Sequence, residues 1–263
     1  MAKKSSYRAK HLEKTAGSID DMPRPAAIVI TDELRKTFEE GRVILVDKPL
    51  HWTSFDVVRK IRNSIRIKKV GHAGTLDPLA SGLLIVCTGK FTKNINTYMA
   101  QEKEYTGSFT LGAITPTYDL ESEPTALRDI SNITEAQVHE ATKAFTGDIE
   151  QMPPIYSAIK KDGVALYELA RRGVDVELKA RPVTISVFEI TKIEWPMVYF
   201  RVVCSTGTYI RSLANDFGAS LGTGAYLSAL RRTRIGEFLV DDAVTMPAFL
   251  EGLTAAEPGD QNG

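Results

Sequence analysis

Hydrophobic and polar positions along the chain repeat with two different periods, which predict both helices and strands. The apolar residues of one segment recur at helical spacing and predict an amphipathic helix: Phe55, Val58, Ile61 and Ile65. Residues 104–112 alternate with the period of two that a half-buried strand shows. The same reasoning predicts strands at 43–46, 83–87, 183–193 and 198–205, and helices at 31–40, 92–101, 135–145 and 210–221. This mixture predicts an α/β or α+β fold.

The composition is that of a folded protein with a hydrophobic core, and it does not indicate what the protein binds. The chain has 263 residues, 43% of them hydrophobic, which is enough for a sizeable core. Lysine plus arginine equals aspartate plus glutamate at 33 each, so net charge indicates no class of partner. The two cysteines, Cys87 and Cys204, are far apart and are typical of core residues in a reducing compartment. No apolar run is long enough to span a membrane, and residues 1–28 lack the apolar core of a secretion signal, so we expect a cytoplasmic protein.

The pattern suggests one main domain with additions. Residues 1–42 are expected to form a partly flexible N-terminal extension, 43–245 the main domain, and 246–263 a short tail. Residues 147–183 are expected to form an insertion. Its lysine, arginine and tyrosine content suits contact with nucleic acid, and an ordinary insertion lobe is the alternative.

Basic residues are concentrated on one face of the predicted helix around Val58. They continue past its end, and no acidic residue occurs between Asp56 and Asp77: Arg59, Lys60, Arg62, Arg66, Lys68 and Lys69. A run of charges is commonly a solvated face. The missing acids favour binding of a polyanion, because lysine and arginine along a groove neutralise phosphates without reading sequence. A second basic cluster follows at 231–234.

Residues 71–84 form a glycine-rich stretch that carries a single carboxylate, Asp77, followed by Pro78. Such a stretch predicts an ordered loop leading into the strand at 83–87. Asp77 either caps a turn, as aspartate beside proline often does, or presents a catalytic carboxylate. Arg211 is predicted in the first turn of a helix, where the macrodipole disfavours a cation. Its anionic partner is then either a structural or a catalytic carboxylate.

Five segments together resemble the TruB family of tRNA pseudouridine synthases, which make pseudouridine 55. The segments are 46–58, 71–84, 103–105, 151–158 and 207–213, which include Asp47-Lys48-Pro49, Lys103-Glu104-Tyr105 and Gly207-Thr208-Tyr209-Ile210-Arg211. The resemblance covers roughly residues 43–240. The sequence departs from the family pattern at His51, where the family often has glycine, and in the extension before Val43. We also expect that the residues after about 245 are too few for the small C-terminal RNA-binding domain of the PUA type.

The resemblance implies a fold and an activity. The fold would be a mixed central β-sheet with flanking helices, in which 43–245 is the pseudouridine synthase domain and 147–183 grips the RNA. The activity would be isomerisation of uridine to pseudouridine in the T-arm of tRNA. That reaction needs no cofactor and no metal, and the chain has no Walker loop and no GxGxxG motif. A monomer without an obligate protein partner or membrane association is expected.

The resemblance also implies roles for individual residues. The expected catalytic residues are Asp77, Tyr105 and Arg211. The expected RNA-binding residues are His72, Tyr209 and Lys48, and the basic run adds Arg62, Lys68 and Lys69. One alternative is a tRNA-binding folding factor that keeps the basic face and does not need Asp77. Another is a glycosidase, which would usually need a second placed carboxylate that the sequence does not display.

Overall fold

A computed structural model describes residues 30–157, 160–161, 163–174 and 176–254. The helices within these ranges are α1 (Asp32–Glu40), α2 (Ser54–Ile65), α3 (Ile95–Met99), α4 (Glu135–Ala141), α5 (Leu166–Arg171), α6 (Ile210–Ser220) and α7 (Met246–Thr254). The strands are β1 (Val43–Lys48), β2 (Val70–Ala73), β3 (Ala80–Thr88), β4 (Lys103–Leu111), β5 (Gly147–Gln151), β6 (Lys160–Lys161), β7 (Val164–Ala165), β8 (Arg181–Glu194), β9 (Met197–Cys204), β10 (Ala225–Ile235), β11 (Phe238–Leu239) and β12 (Val244–Thr245). The predicted flexibility of residues 1–28 lies outside the described residues.

Most of the strands form one mixed sheet. Their order is β12-β1-β3-β10-β4-β9-β8-β5, with β2 beside β3 and β11 beside β10. The pairs β1–β12 and β3–β10 are parallel, and the other pairs of this sheet are antiparallel. The prediction of a mixed central sheet with flanking helices is confirmed.

Two of the three hydrophobic clusters among the described residues pack helices against the two halves of the sheet. Helices α1, α2 and α7 pack around β1 and β3, where Val57, Ile61 and Ile65 are fully buried. Helix α6 packs around β4, β8, β9 and β10 and buries Leu213 and Phe217. The helical face predicted for α2 is confirmed apart from Phe55, which is 57% exposed because it lies at the second position of the helix.

Two predicted boundaries change. Strand β5 pairs with β8 inside the main sheet, so the segment outside the sheet is 152–180 rather than 147–183. The tail expected at 246–263 begins with α7, whose Met246, Leu250 and Leu253 are buried. Those three residues have helical spacing and face the core, which the sequence analysis missed. Within the N-terminal extension, α1 belongs to the fold because Phe38 is buried against it.

Candidate active site

The candidate site lies where strand β3 changes its neighbour. The first residues of β3, Ala80 to Gly82, pair with β10, whereas Ile85 to Thr88 pair with β2. Arg232 fills the gap between the two neighbours. It is 1% exposed, and its guanidinium donates to the carbonyl oxygens of Leu83 at 2.8 Å and Gly74 at 3.0 Å. This buried arginine therefore ties the glycine loop to the centre of the sheet.

The loop between β2 and β3, residues 74–79, carries Asp77 and is anchored on both sides of it. Ser54 Oγ accepts from the Leu76 N–H at 2.9 Å and donates to the Leu76 carbonyl at 3.1 Å. The His51 N–H donates to the Pro78 carbonyl at 2.7 Å. His51 has a φ of 66°, a conformation that favours glycine. The loop is fixed while the Asp77 side chain stays 38% exposed.

Arg211 joins the loop to the other half of the molecule. It is the second residue of α6, as predicted, and its side chain is 6% exposed. Its Nε lies 2.9 Å from Asp77 Oδ2 and 3.6 Å from Asp119 Oδ2. The Nε–H is not aligned with any acceptor among the described residues, so these contacts are ion pairs without a hydrogen bond. The terminal nitrogens donate to the carbonyls of Thr117 at 3.3 Å and Tyr156 at 3.0 Å.

Asp119 is the residue of the site that the sequence analysis missed. It lies between β4 and α4 in a stretch rich in threonine, proline and acids, and its side chain is 5% exposed. Asp119 Oδ1 accepts from the Glu121 N–H at 3.0 Å, and its backbone forms a bridge to Leu227 in β10. One buried guanidinium thus lies between two carboxylates. No local periodicity marks Asp119, because only tertiary contact brings it to Arg211.

Asp77, Arg211 and Arg232 line a cavity of about 560 Å³, which both predicted tyrosines also line. Tyr105 is 8% exposed and lies directly across from Arg232 in the β4–β10 pair. Burial raises the pKa of the Tyr105 phenol, whereas the adjacent Arg232 guanidinium opposes that shift. The cavity can therefore hold a flat ring beside Asp77, with the Tyr105 phenol protonated at neutral pH.

Tyr209 precedes α6 and is held from two sides. Its N–H donates to Gln151 Oε1 at 2.7 Å, and its carbonyl accepts from Gln151 Nε2 at 3.1 Å. The Arg181 guanidinium carbon lies 4.7 Å from the centre of the Tyr209 ring and also lines the cavity. A further Arg181 nitrogen donates to the Gly207 carbonyl. Strands β5 and β8 thus position the second tyrosine, which the sequence motif alone does not reveal.

Lys48 does not reach the cavity. It is fully buried, and its Nζ donates to the carbonyls of Pro49 at 2.9 Å and Trp52 at 2.6 Å. Burial lowers the pKa of Lys48 to about 8, and the negative charge of Asp77 opposes that shift. Lys103, which does line the cavity, shows the same effect, because burial lowers its pKa to about 8. Lys48 therefore braces the turn before α2 and is not placed to contact RNA.

The Lys48→Met variant should show a different dependence of stability on pH. Between about pH 8 and the ordinary lysine value of 10.5, unfolded wild type binds a proton at Lys48 that the folded protein does not. Unfolding of wild type should therefore become more costly relative to the variant as the pH rises from 8 to 10. Urea denaturation at three pH values would measure this difference. Parallel stability curves would contradict the assignment.

The other predicted RNA-binding residues lie outside the cavity. His72 is half-buried in β2, and burial lowers its pKa. Arg62 in α2 donates to the Val70 carbonyl at 3.2 Å. Lys68 and Lys69 are exposed in the turn between α2 and β2. The structure therefore brings Asp77, Tyr105, Tyr209 and Arg211 together at one cavity, which the other four residues do not line.

The basic cluster at 231–234 is largely used within the fold. Arg231 forms a bidentate ion pair with Asp47, in which its two terminal nitrogens lie 2.9 and 2.8 Å from the carboxylate oxygens. A terminal nitrogen of Arg234 lies 2.9 Å from a carboxylate oxygen of Glu102. With Arg232 buried, this cluster stabilises strand β10 and is not a surface for a polyanion. Sequence cannot distinguish these two uses, since both need only arginines at these positions.

Two further properties concern the described residues as a set. Within the described ranges, no group of three or more histidine, cysteine, aspartate or glutamate side chains could hold a metal ion. In the same part of the chain, no helix is both long enough and apolar enough to cross a membrane.

Comparisons with known proteins identify the family. A family model described as TruB family pseudouridylate synthase (N terminal domain) matches residues 62–210. A second, described as tRNA pseudouridylate synthase B C-terminal domain, matches residues 211–262. The tRNA pseudouridine synthase B of Flavobacterium johnsoniae is 53% identical over 221 residues, which is 81% of this chain and 96% of that protein. That of Phocaeicola vulgatus is 50% identical over 226 residues, or 84% and 96% of the two chains.

Solved structures share the fold of this chain. A chain in the crystal structure of a Cbf5-Nop10-Gar1 complex is 32% identical with a TM-score of 0.65. The match covers 82% of this chain and 56% of that one, so this chain spans a little over half the length of its structural relative. Its fold, its cavity and these similarities lead to one conclusion: the chain belongs to the TruB family of pseudouridylate synthases.

Proposed function

We propose that the protein isomerises uridine to pseudouridine in tRNA, at U55 of the T-loop, with Asp77 as the catalytic carboxylate. The relatives that are about half identical carry the name tRNA pseudouridine synthase B. A second structural relative, 30% identical with a TM-score of 0.62, comes from an H/ACA RNP bound to a substrate RNA. The observation that carries the assignment of the residue is the pairing of Asp77 with the buried Arg211 in a cavity lined by two tyrosines.

The reaction exchanges one glycosidic bond for another. The bond from C1′ to N1 breaks, the uracil turns, C5 bonds to C1′, C5 loses a proton and N1 gains one. Asp77 can serve this exchange by attacking C1′ or by removing a proton from the sugar, and both uses need an ionised carboxylate. No electrons are lost and no group leaves the RNA, so the chemistry calls for no redox cofactor.

Each part of the cavity has a task in that exchange. Arg211 orients Asp77 and balances its charge. Tyr105 stacks on the uracil, an interaction worth about 1–3 kcal/mol. That gain offsets the few kcal/mol that turning a base out of its stack costs. Tyr209 lies beside the base, and one of the two phenol oxygens carries the C5 proton.

Chemical analysis of tRNA tests this function. Purified protein would be incubated with an unmodified tRNA transcript in the presence of a chelator, and the nucleosides would be separated after digestion. We expect about one pseudouridine per tRNA. A transcript with cytidine at position 55 is the control and should yield none. Binding of tRNA without any pseudouridine would contradict the proposal and favour the folding-factor alternative.

The Asp119→Asn variant should lose turnover although Asp119 does not line the main cavity. Removing one of two carboxylates that flank Arg211 lets the guanidinium shift relative to Asp77. We expect a reduction in kcat of about 10- to 100-fold with little change in KM. Asp129→Asn, an exposed position in the same connection, is the matched control and should behave as wild type. Equal kinetics for both variants would show that Asp119 does not position Arg211.

The proposal also covers the setting in which the protein works. We expect it to act in the cytoplasm as a monomer, with the T-arm of tRNA as its partner and without an obligate protein partner. The structural relative was solved within a Cbf5-Nop10-Gar1 complex, and that assembly is a property of that protein. Size-exclusion chromatography with and without tRNA would test the stoichiometry, and one tRNA per protein chain is expected.

A further inference from the structure

Charge is strongly segregated along this chain. Residues 57–101 contain eight lysines and arginines and a single acid, Asp77, although the two kinds of charge are equal in number over the whole sequence. Arg59 is paired with Asp56 at 2.8 Å, and Arg62 donates to a backbone carbonyl. Among the described residues, the lysines farther along make no such contacts. This segment therefore presents positive charge that the described part of the fold does not neutralise.

Four of these lysines come together on one surface, which we call the basic track: Lys68, Lys69, Lys90 and Lys93. The turn after α2 and the 3-10 helix at Gly89–Asn94 are joined by a hydrogen bond from the Gly89 N–H to the Lys69 carbonyl, at 2.9 Å. All four lysines are exposed, and within the described ranges none has a carboxylate within 4 Å. A groove of about 390 Å³ runs beside Lys68 and Lys69, and Glu39 on its wall is paired with Arg35.

The basic track lies about the length of strand β3 away from the candidate active site. Strand β3 runs from Ala80, next to Asp77, to Thr88, next to the track, and spans about 25 Å at a rise of about 3.3 Å per residue. The five-residue helix α3 lies alongside β2, where Ile95 lies against Gly71. Its last residue, Met99, lines the cavity. No acidic side chain occurs from Lys90 to Gln101.

We propose that the basic track binds the phosphate backbone of the helical stem of the tRNA, at a distance from the target uridine. This proposal rests on the proposed function. A duplex rises on the order of 3 Å per base pair, so 25 Å corresponds to about eight base pairs. A T-stem of about five base pairs ends before that point, and the track then meets the acceptor stem stacked on it. The contact is with phosphates and is independent of sequence.

Two pairs of lysine substitutions test the basic track. Lys90→Gln/Lys93→Gln removes two charges from the track, and Lys143→Gln/Lys192→Gln removes two from exposed sites at the other end of the sheet. For full-length tRNA, we expect the track variant to raise Kd about tenfold and to lower the slope of log Kd against log salt by about two. KM should rise with kcat unchanged. The control variant should stay close to wild type.

A short substrate separates the distant contact from the active site. On a T-arm hairpin of about five base pairs, the track variant and wild type should have equal kcat/KM. Equal losses with the hairpin and the full tRNA, or equal losses in the track and control variants, would overturn the proposal. Failure of the proposed function looks different, because wild type would then make no pseudouridine in either RNA.

Discussion

Replacing Asp77 by asparagine should abolish pseudouridine formation while tRNA binding remains close to that of wild type. Asparagine has nearly the same shape but no charge, so it can neither attack C1′ nor take a proton from the sugar. The loop that carries the residue is anchored through the backbone of Leu76 and Pro78, and these hydrogen bonds do not involve the Asp77 side chain. We expect the rate constant to fall by at least about 10³-fold.

Single-turnover kinetics with excess enzyme would measure the loss, and filter binding would measure Kd. Asp241→Asn changes an exposed aspartate in the same way and should leave both quantities unchanged. The preparation of the variant must be free of wild-type protein. Product above the background of an enzyme-free reaction would then contradict the catalytic role of Asp77.

The Arg211→Lys variant should lose most of its activity although it keeps the positive charge. The guanidinium lies between two carboxylates and donates to two carbonyls, those of Thr117 and Tyr156. An ammonium is a single point and cannot reach all of these atoms in one plane. Because the side chain is buried, the groups left without a partner are not rescued by water. We expect kcat to fall by about 10²- to 10³-fold.

A double-mutant cycle would separate this role from a loss of folding. If Asp119 acts through Arg211, Asp119→Asn combined with Arg211→Lys should cost little more than Arg211→Lys alone. Arg128→Lys, an exposed arginine, is the matched control for the substitution. Additive losses in kcat, or a melting temperature that falls in step with activity, would show that the two residues do not form one unit.

Local patterns predicted much of the fold. Thr31, Thr53 and Thr134 each accept a backbone N–H at the start of a helix, which is the common role of threonine just before a helix. The pairing of Asp77 with Arg211 was expected as one of two alternatives, because a cation in the first turn of a helix calls for an anion. The caps depend on neighbours in sequence, and the need of Arg211 for an anion follows from its place in a helix, whereas Asp77 is singled out by the family resemblance.

Long-range contacts were not predictable in this way. The sequence around Asp119 indicates an acidic residue in a loop, and that around Arg232 indicates a cation on the surface. Both side chains are instead buried at the site. Lys48 was expected to contact RNA, but its Nζ donates to the two carbonyl oxygens of the turn that follows it. Their roles depend on which strands pair, and on the gap that opens where β3 changes from β10 to β2. The spacing of hydrophobic and polar residues in one sequence does not show which strands pair.

Mapping of pseudouridine at single-nucleotide resolution is the most direct test of the central claim, which is that Asp77 of this chain isomerises U55 of tRNA. Unmodified transcript would be incubated with wild type or with Asp77→Asn, without added metal or cofactor. We expect pseudouridine at position 55 with wild type and at no position with the variant. Modification at 55 by both proteins would contradict the role of Asp77, and wild-type product only at other positions would contradict the substrate.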